Sequence, residues 1–341
     1  MALVAVPSDP AQQQLQVAEG AAAAAAQVPR KSGLQAPTML LTGHKGEVFS
    51  LEFSPDGRNV VSGSFDKQIF LWSVYGDCEN WGTFSGHQNA VLQTRWSADG
   101  TQVYSCSADK SCCVWDIDKA ARVKKFSGHQ GVVNSIAVSR RGSPLLTSGA
   151  DDGTTKLWDL RTRKCVRTFE HSYQILSVCF DDTAERIFAG SLDDTIRVFD
   201  IRRGEEDEEM TLEGHADSVT GIDLSADGTR LASTSMDNTV AVWDVQQFCN
   251  AESRCIGVLQ GASHNFEKNL LRVRWGMKDK MLAAASADRQ MYIWNMHDDG
   301  KLMYRLPGHM GSVNDVAFHP EEPIVGSCSS DRRIFLGELS D

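Results

Sequence analysis

The sequence predicts an all-β fold, a closed ring of seven blades, and three observations predict it. A His recurs at positions 44, 87, 129, 171, 215, 264 and 309, most often as Gly-His, with steps of 43, 42, 42, 44, 49 and 45. An aromatic slot, usually followed by Asp, recurs behind it: Trp72, Trp115, Trp158, Phe199, Trp243, Trp294 and, in the last unit, Gly337. Six residues before that slot every unit carries an Asp: Asp66, Asp109, Asp152, Asp193, Asp237, Asp288 and Asp331. Units of this length, written in short alternating runs, each make one small sheet with exposed apolar faces. Stacking the sheets in a ring covers those faces and leaves few free edges.

The elements follow in order. Residues 1–37 hold a Gln run (Gln12 to Gln14), an Ala run (Ala21 to Ala26) and Pro7, Pro10, Pro29 and Pro37. This composition is expected to be a disordered tail with transient helix at the Ala run. The apolar run Leu3-Val4-Ala5-Val6 is too short for a secretory signal, and no apolar stretch is long enough to span a membrane. The ring is expected over 38–341 as one domain. In the first unit, Val48 to Phe53 alternates as a strand, and Ser54-Pro55-Asp56-Gly57 is a turn, with Pro fixing φ and Gly free at positive φ. Asn59 to Ser64 is the second strand, Phe65-Asp66-Lys67 a tight turn, and Gln68 to Trp72 the third strand. The turn recurs as Ser97-Ala98-Asp99-Gly100 and Ser225-Ala226-Asp227-Gly228. After Gly337 too little chain remains for an outer strand, so the last unit has three. The unassigned run Thr38-Met39-Leu40-Leu41 is expected to supply the fourth, locking the two ends in one sheet.

Gly-His and Trp-Asp marks at a period in the low forties are similar to those of the WD-repeat family, which implies a seven-bladed WD-repeat β-propeller closed by the strand near 38–42. Four residues before each turn Asp lies Ser62, Ser105, Ser148, Ala189, Ser233, Ala284 or Ser327. The resemblance implies four complete structural networks: His44, Ser62, Asp66 and Trp72; His87, Ser105, Asp109 and Trp115; His129, Ser148, Asp152 and Trp158; His215, Ser233, Asp237 and Trp243. The same residue types could be read as a catalytic triad, but one nucleophile site would not be copied through the ring. A buried carboxylate that orients an imidazole, which in turn steadies the Trp, is the expected role. Units with Ala189, Ala284 and Gly337 are expected to be incomplete and softer.

Composition narrows the function classes. Net charge is −11, so the electrostatic footprint of a stand-alone nucleic-acid binder is missing. The acidic run Glu205 to Glu209 is expected to be a solvated loop, with docking of a basic partner as the other reading. Nine cysteines without a Cys-x-x-Cys pair point to a reducing compartment and buried thiols rather than disulfides or zinc. Cys112 and Cys113 are adjacent on a strand, so they point to opposite faces. There is no phosphate loop, no His-Glu-x-x-His and no Gly-x-Ser-x-Gly. We expect no catalytic, metal or cofactor residue, no enzyme and no small-molecule substrate.

In a propeller of this kind, the narrow mouth of the channel is ringed by residues three and five after the His and by the residue before the turn Asp. The ring here holds the apolar Phe49, Phe65, Leu92, Val132, Leu176, Leu192, Met236 and Leu271, together with Asp151. Part of that apolar set is expected to be covered by neighbours. The rest favours a protein ligand over a polyanion.

A closer resemblance rests on Leu34-Gln35-Ala36-Pro37, Trp72 to Cys78, Gly214 to Gly221, Met236 to Val240, His264 to Arg272 and Leu306-Pro307-Gly308-His309. These segments are similar to the WD-repeat proteins of the spliceosomal U5 small nuclear ribonucleoprotein. The resemblance implies a nuclear, non-catalytic scaffold of the U5 snRNP and tri-snRNP in pre-mRNA splicing. It also implies spliceosomal protein partners, chiefly the large central U5 scaffold protein, with RNA contact indirect. The acidic run and the Ala/Gln-rich tail depart from that family. Two other classes remain open. Trp158-Asp159-Leu160-Arg161 and Phe199-Asp200-Ile201-Arg202 fit the mark of substrate receptors of cullin-RING ubiquitin ligases. A G-protein β-like subunit would carry an N-terminal helix with sustained heptads, which residues 1–37 lack.

Overall fold

The computed structural model describes residues 30–202, 208–248, 253–298 and 300–340. They form seven four-stranded antiparallel sheets arranged as blades of a ring. The first blade runs Val48–Phe53, Asn59–Ser64, Gln68–Ser73 and Asn80–Ser85 from the channel outward. Its local logic matches the chain. Val48 and Leu51 are buried while Phe49 and Glu52 are only half-buried. Gly57 closes the first turn with its N–H on the Ser54 carbonyl at 2.9 Å and a φ of +71°. A Cβ there would also sit 2.2 Å from the His319 ring, so both backbone and space require glycine.

Six of the seven inner strands start with a register shift. In the first blade Val48 faces Ser64 and Ser50 faces Gly63, which leaves Phe49 as the extra residue. The same shift singles out Leu92, Asn134, Leu176, Thr220 and Asn314. Such bulges re-aim a side chain at the end of a strand, and here they fall at one mouth of the channel.

The ring closes as expected. Thr38–Thr42 pairs antiparallel with Arg333–Glu338, from Thr38 opposite Gly337 to Thr42 opposite Arg333. One correction concerns the tail boundary. Residues 30–37, expected to be disordered, are docked across the seam between the last blade and the first. Glu338 accepts hydrogen bonds from Arg30 Nε and Ser32 Oγ, each at 2.7 Å, and from the Lys31 backbone N–H. Glu322 accepts the Gly33 N–H at 2.7 Å, and Leu34 is buried and bridges Gly76. Four carboxylate-bound donors and one buried leucine outweigh the tail-like composition. The Gln and Ala runs of residues 1–29 lie outside the described residues.

The core sits between blades rather than within them. Val61, Ile69, Leu71 and Phe84 of the first blade pack with Val91, Val103, Cys113 and Trp115 of the second. Cys112, one residue away, packs with Phe126, Leu146 and Trp158 on the other face. Fully burying each such side chain stabilises by roughly 1.5–3 kcal/mol relative to exposure. Neighbouring blades therefore fold as one body. Most described cysteines are buried free thiols, but Cys165 is exposed on an outer strand and Cys255 is half-buried.

Candidate functional site

The recurring polar set is a structural clamp inside blades one, two, three and five. In the first, the His44 Nδ1 stands 2.9 Å from Asp66 Oδ2, and its Nε2 stands 2.8 Å from Ser62 Oγ. The Trp72 Nε1–H donates to that same Ser62 oxygen at 2.9 Å. The arrangement is consistent when the imidazole is neutral with its proton on Nδ1: Asp accepts, Ser donates to His and accepts from Trp. The serine, not the imidazole, therefore holds the indole. Blades two, three and five repeat this geometry at Ser105, Ser148 and Ser233. Burial holds the His129, His215 and His309 imidazoles below their usual value, against the opposing pull of their aspartates. Burial opposes ionisation of Asp66, yet the hydrogen bonds from His44, Lys45 N–H and Gln68 N–H keep its carboxyl below the usual range. No nucleophile is exposed in this clamp: the His and Ser side chains are buried.

The three atypical blades are rewired rather than simply incomplete. In blade four, Arg197 takes Asp193 at 2.6 Å, while His171 Nε2 meets Thr155 Oγ1 and its Nδ1 is buried without a partner. In blade six, the Tyr292 hydroxyl donates to Asp288 at 2.6 Å. In blade seven, His309, Ser327 and Asp331 keep the full geometry, and the Phe335 ring lies 4.7 Å from the imidazole. His264 does not occupy the sixth His slot. Gly261 abuts Tyr292 and Trp294 as Gly43 abuts Phe70 and Trp72, so the slot holds Ala262. The long gap in the repeat displaced the His by two residues.

Two mouths flank the channel. The upper rim carries the His-bearing connections and the second turns; Phe65 N–H donates to Glu47 O at 2.8 Å across it. Of the residues expected there, Phe65 is 58% and Leu192 40% exposed, Asp151 is exposed, and Phe49, Leu92, Val132 and Met236 are half-buried. The Phe49 and Phe65 rings meet edge-to-face at 6.5 Å. Leu176 and Leu271 are corrections: they are 7% and 1% exposed. The Leu176 carbonyl lies against the Arg272 guanidinium, and Leu271 packs between blades six and seven with Val313 and Val325. Sequence spacing missed three exposed apolar residues in the same loops: Tyr173, Phe266 and Met310, at 52%, 91% and 72%. Each lies one or two residues after a marked His, the only signal they give. The segment around Phe266 leans on blade seven, where Glu267 accepts the Ser312 hydroxyl at 3.0 Å.

The channel itself is filled by charge. Arg272 is buried and reaches from blade six to the Asn134 carbonyl of blade three at 2.7 Å and to Ser177 Oγ of blade four at 3.3 Å. Burial pushes its guanidinium down to about 10, so it stays cationic at neutral pH. Below it, two Arg-Trp dipeptides repeat one device. Glu52 accepts the Trp96 backbone N–H at 2.6 Å, while its own carbonyl accepts the Trp96 indole N–H at 3.2 Å. Asp223 and Trp275 do the same at 2.9 and 3.2 Å. Arg95 pairs with Glu52 at 3.0 Å, and Arg274 pairs with Asp315 at 3.4 Å and Asp223 at 3.6 Å. Among the described residues, no three His, Cys, Asp or Glu side chains gather as a metal set. The arginines of the two Trp/Phe-Asp-x-Arg marks have local partners: Arg161 faces Asp159 at 3.7 Å, and Arg202 faces Glu185 at 2.9 Å.

Residues 35–73, 78–116, 121–159, 163–200, 207–244 and 300–336 match the family described as WD domain, G-beta repeat. The sixth blade, with Ala262 and Ala284 in its His and Ser slots, escapes that match. The chain is 49% identical to the U5 small nuclear ribonucleoprotein 40 kDa protein of Bos taurus over 99% of its own length and 93% of that protein's. It is 50% identical to the human protein of that name over 91% of this chain and 86% of the relative. The pre-mRNA-splicing factor cwf17 of Schizosaccharomyces pombe is 42% identical over 91% of this chain and 90% of the relative. The chain therefore belongs to the WD-repeat family, within the group of the U5 small nuclear ribonucleoprotein 40 kDa protein.

Proposed function

We propose that this chain is a non-catalytic docking subunit of the U5 small nuclear ribonucleoprotein and the tri-snRNP, acting in pre-mRNA splicing in the nucleus. The observation that carries this reading is its identity, across nearly its whole length, with proteins named for that particle. Its partners are spliceosomal proteins, chiefly the large central U5 scaffold protein, and RNA contact is indirect. Three features support a protein ligand at the upper rim. Phe65, Tyr173, Leu192, Phe266 and Met310 are large apolar side chains held in solvent by a rigid ring, and such exposed apolar groups mark protein contacts. The net charge of −11 disfavours a polyanion. The clamp residues are buried in blade interiors, away from substrate. The test is to immunoprecipitate the tagged chain from nuclear extract and sequence the bound RNA. U5, U4 and U6 snRNAs enriched together are expected; a ubiquitin-ligase adaptor without snRNA would overturn the reading.

A further inference from the structure

The lower mouth holds a cavity of about 270 Å³ on the face opposite Phe65. Its wall includes the second residues of four first turns, Pro55, Ala98, Arg140 and Pro320. Three of these are compact. Arg140 alone is a long cation, and the turn does not need it. Its guanidinium crosses from blade three to blade five and donates to the Leu224 and Ser225 carbonyls, both at 3.2 Å. Those acceptors are neutral, and among the described residues no carboxylate pairs with Arg140. Behind the wall, buried Asp315 and Arg272 add one charge of each sign; on it, Arg95 and Arg274 face Glu52 and Asp223. Both acids are already engaged by arginine and by a Trp backbone N–H. The wall therefore has one cation in excess.

From this geometry we propose that the lower mouth is a socket for one carboxylate side chain, Glu or Asp, presented by an acidic segment of a partner protein. One negative charge balances the single excess cation, and charge-assisted bonds to guanidinium replace the long contacts to neutral carbonyls. Trp275 and Phe318, both half-buried, offer apolar wall to the flanking residues. Nucleic acid fits less well. Phe53 and Trp96 are buried and the Trp96 indole N–H is committed to Glu52, so they make no stacking platform.

The test follows the side-chain indole signals of Trp96 and Trp275 by NMR in the full chain. The probe is the peptide acetyl-Leu-Glu-Leu-amide, beside its Gln counterpart and a uridine hexanucleotide. Saturable shifts of both indoles with the Glu peptide are expected. Weakening by about tenfold or more is expected for the Gln peptide and for Arg140→Met, which keeps the aliphatic stem. Phe65→Asp, on the other face, should leave the shifts unchanged. Equal binding of the Gln peptide, stronger shifts with the oligonucleotide, or no shift at millimolar peptide would each overturn the proposal. The Gln peptide tests the charge on the wild-type chain, so the outcome stands even where Arg140→Met folds poorly.

Discussion

The carboxylate of Glu338 and the guanidinium of Arg30 form an ion pair at 2.7 Å although 308 residues separate them. The pair lies over the seam where the last strand meets the first. Burial opposes it, yet the Lys31 N–H, Ser32 hydroxyl and Arg30 bring the Glu338 carboxyl down to about 2. The pair's stability is thus present above pH 4.5, the free value, and lost as pH falls through about 2.

Closure accordingly has two layers, the strand Thr38–Thr42 and the strap before it. Removing residues 1–33 should leave a folded ring with a lowered melting temperature, because Glu338 loses the Arg30, Lys31 and Ser32 donors and Glu322 keeps the Tyr75 hydroxyl but loses the Gly33 N–H. Removing residues 1–42 should collapse cooperative melting, because the last blade then lacks its outer strand and exposes an edge. Glu338→Ala in the full chain should resemble the milder truncation, at about 1–3 kcal/mol. Identical melting of the two truncations would sink the two-layer account.

The clamp ranks its aspartates. Asp109 accepts from His87 and the Gln88 N–H, each at 2.9 Å, and from Ser111 N–H at 3.1 Å. Among the described residues, Asp288 accepts the Tyr292 hydroxyl at 2.6 Å and the Gln290 N–H at 3.2 Å, with the Arg305 guanidinium at 3.9 Å. Asp109→Ala should cost about 1–3 kcal/mol, the usual penalty for stranding buried partners, and Asp288→Ala should cost less. Denaturant melts that place Asp288→Ala as the worse variant refute the ranking.

The strands of the first blade were legible because alternation and turn residues are local. The strand Val48–Phe53 and the next, Asn59–Ser64, fall where the pattern put them. The closing strand was legible by subtraction, since Met39 to Leu41 had no unit of their own. His264 carries the residue type of the slot without its position, because the slot is defined by the Gly261 that packs on Tyr292 and Trp294. Tyr292 and Arg197 were invisible because their role belongs to a position four residues after the Asp that in blade one holds Phe70. The channel arginines were missed for a different reason. The partners of Arg272 lie on blades three to five, as many as 138 residues away, and no local pattern encodes a contact across a ring.

Acid should weaken the clamps of His129, His215 and His309 in a defined window. His129, His215 and His309 lie below the ordinary 6.5, and burial takes His171 and His264 down to about 4. A depressed imidazole stabilises the fold fully above its unfolded value, and that share is lost as pH falls through the folded values. Stability should therefore decline from pH 6.5 toward about 4, before most carboxylates titrate. Proton-coupled NMR should show His129 and His215 as neutral Nδ1–H tautomers at pH 7. A denaturation free energy that stays flat across this window, or an imidazolium signal from His129 or His215 at pH 7, contradicts the assignment; His87, which against burial Asp109 helps raise to about 9, is the clamp imidazole expected to be charged there.

Phe65 gives the sharpest functional prediction. It precedes the turn Asp66, stands 58% exposed and meets the Phe49 ring edge-to-face, with ring centroids 6.5 Å apart. Its side chain supports neither the clamp nor the interblade core, so Phe65→Asp should keep the β-rich circular dichroism and melt within about 0.5 kcal/mol of wild type, as surface changes usually do. At an interface the same change replaces an aromatic anchor with a carboxylate that must be desolvated without a matching charge, at several kcal/mol. The variant should therefore lose co-sedimentation with U5 snRNA while remaining folded. Tyr173→Asp and Met310→Asp, on the same rim, should weaken assembly in the same direction. If Phe65→Asp enters the particle at wild-type levels while Phe266→Asp does not, the anchor lies on the segment that leans toward Ser312, and the docking surface is displaced toward blades six and seven.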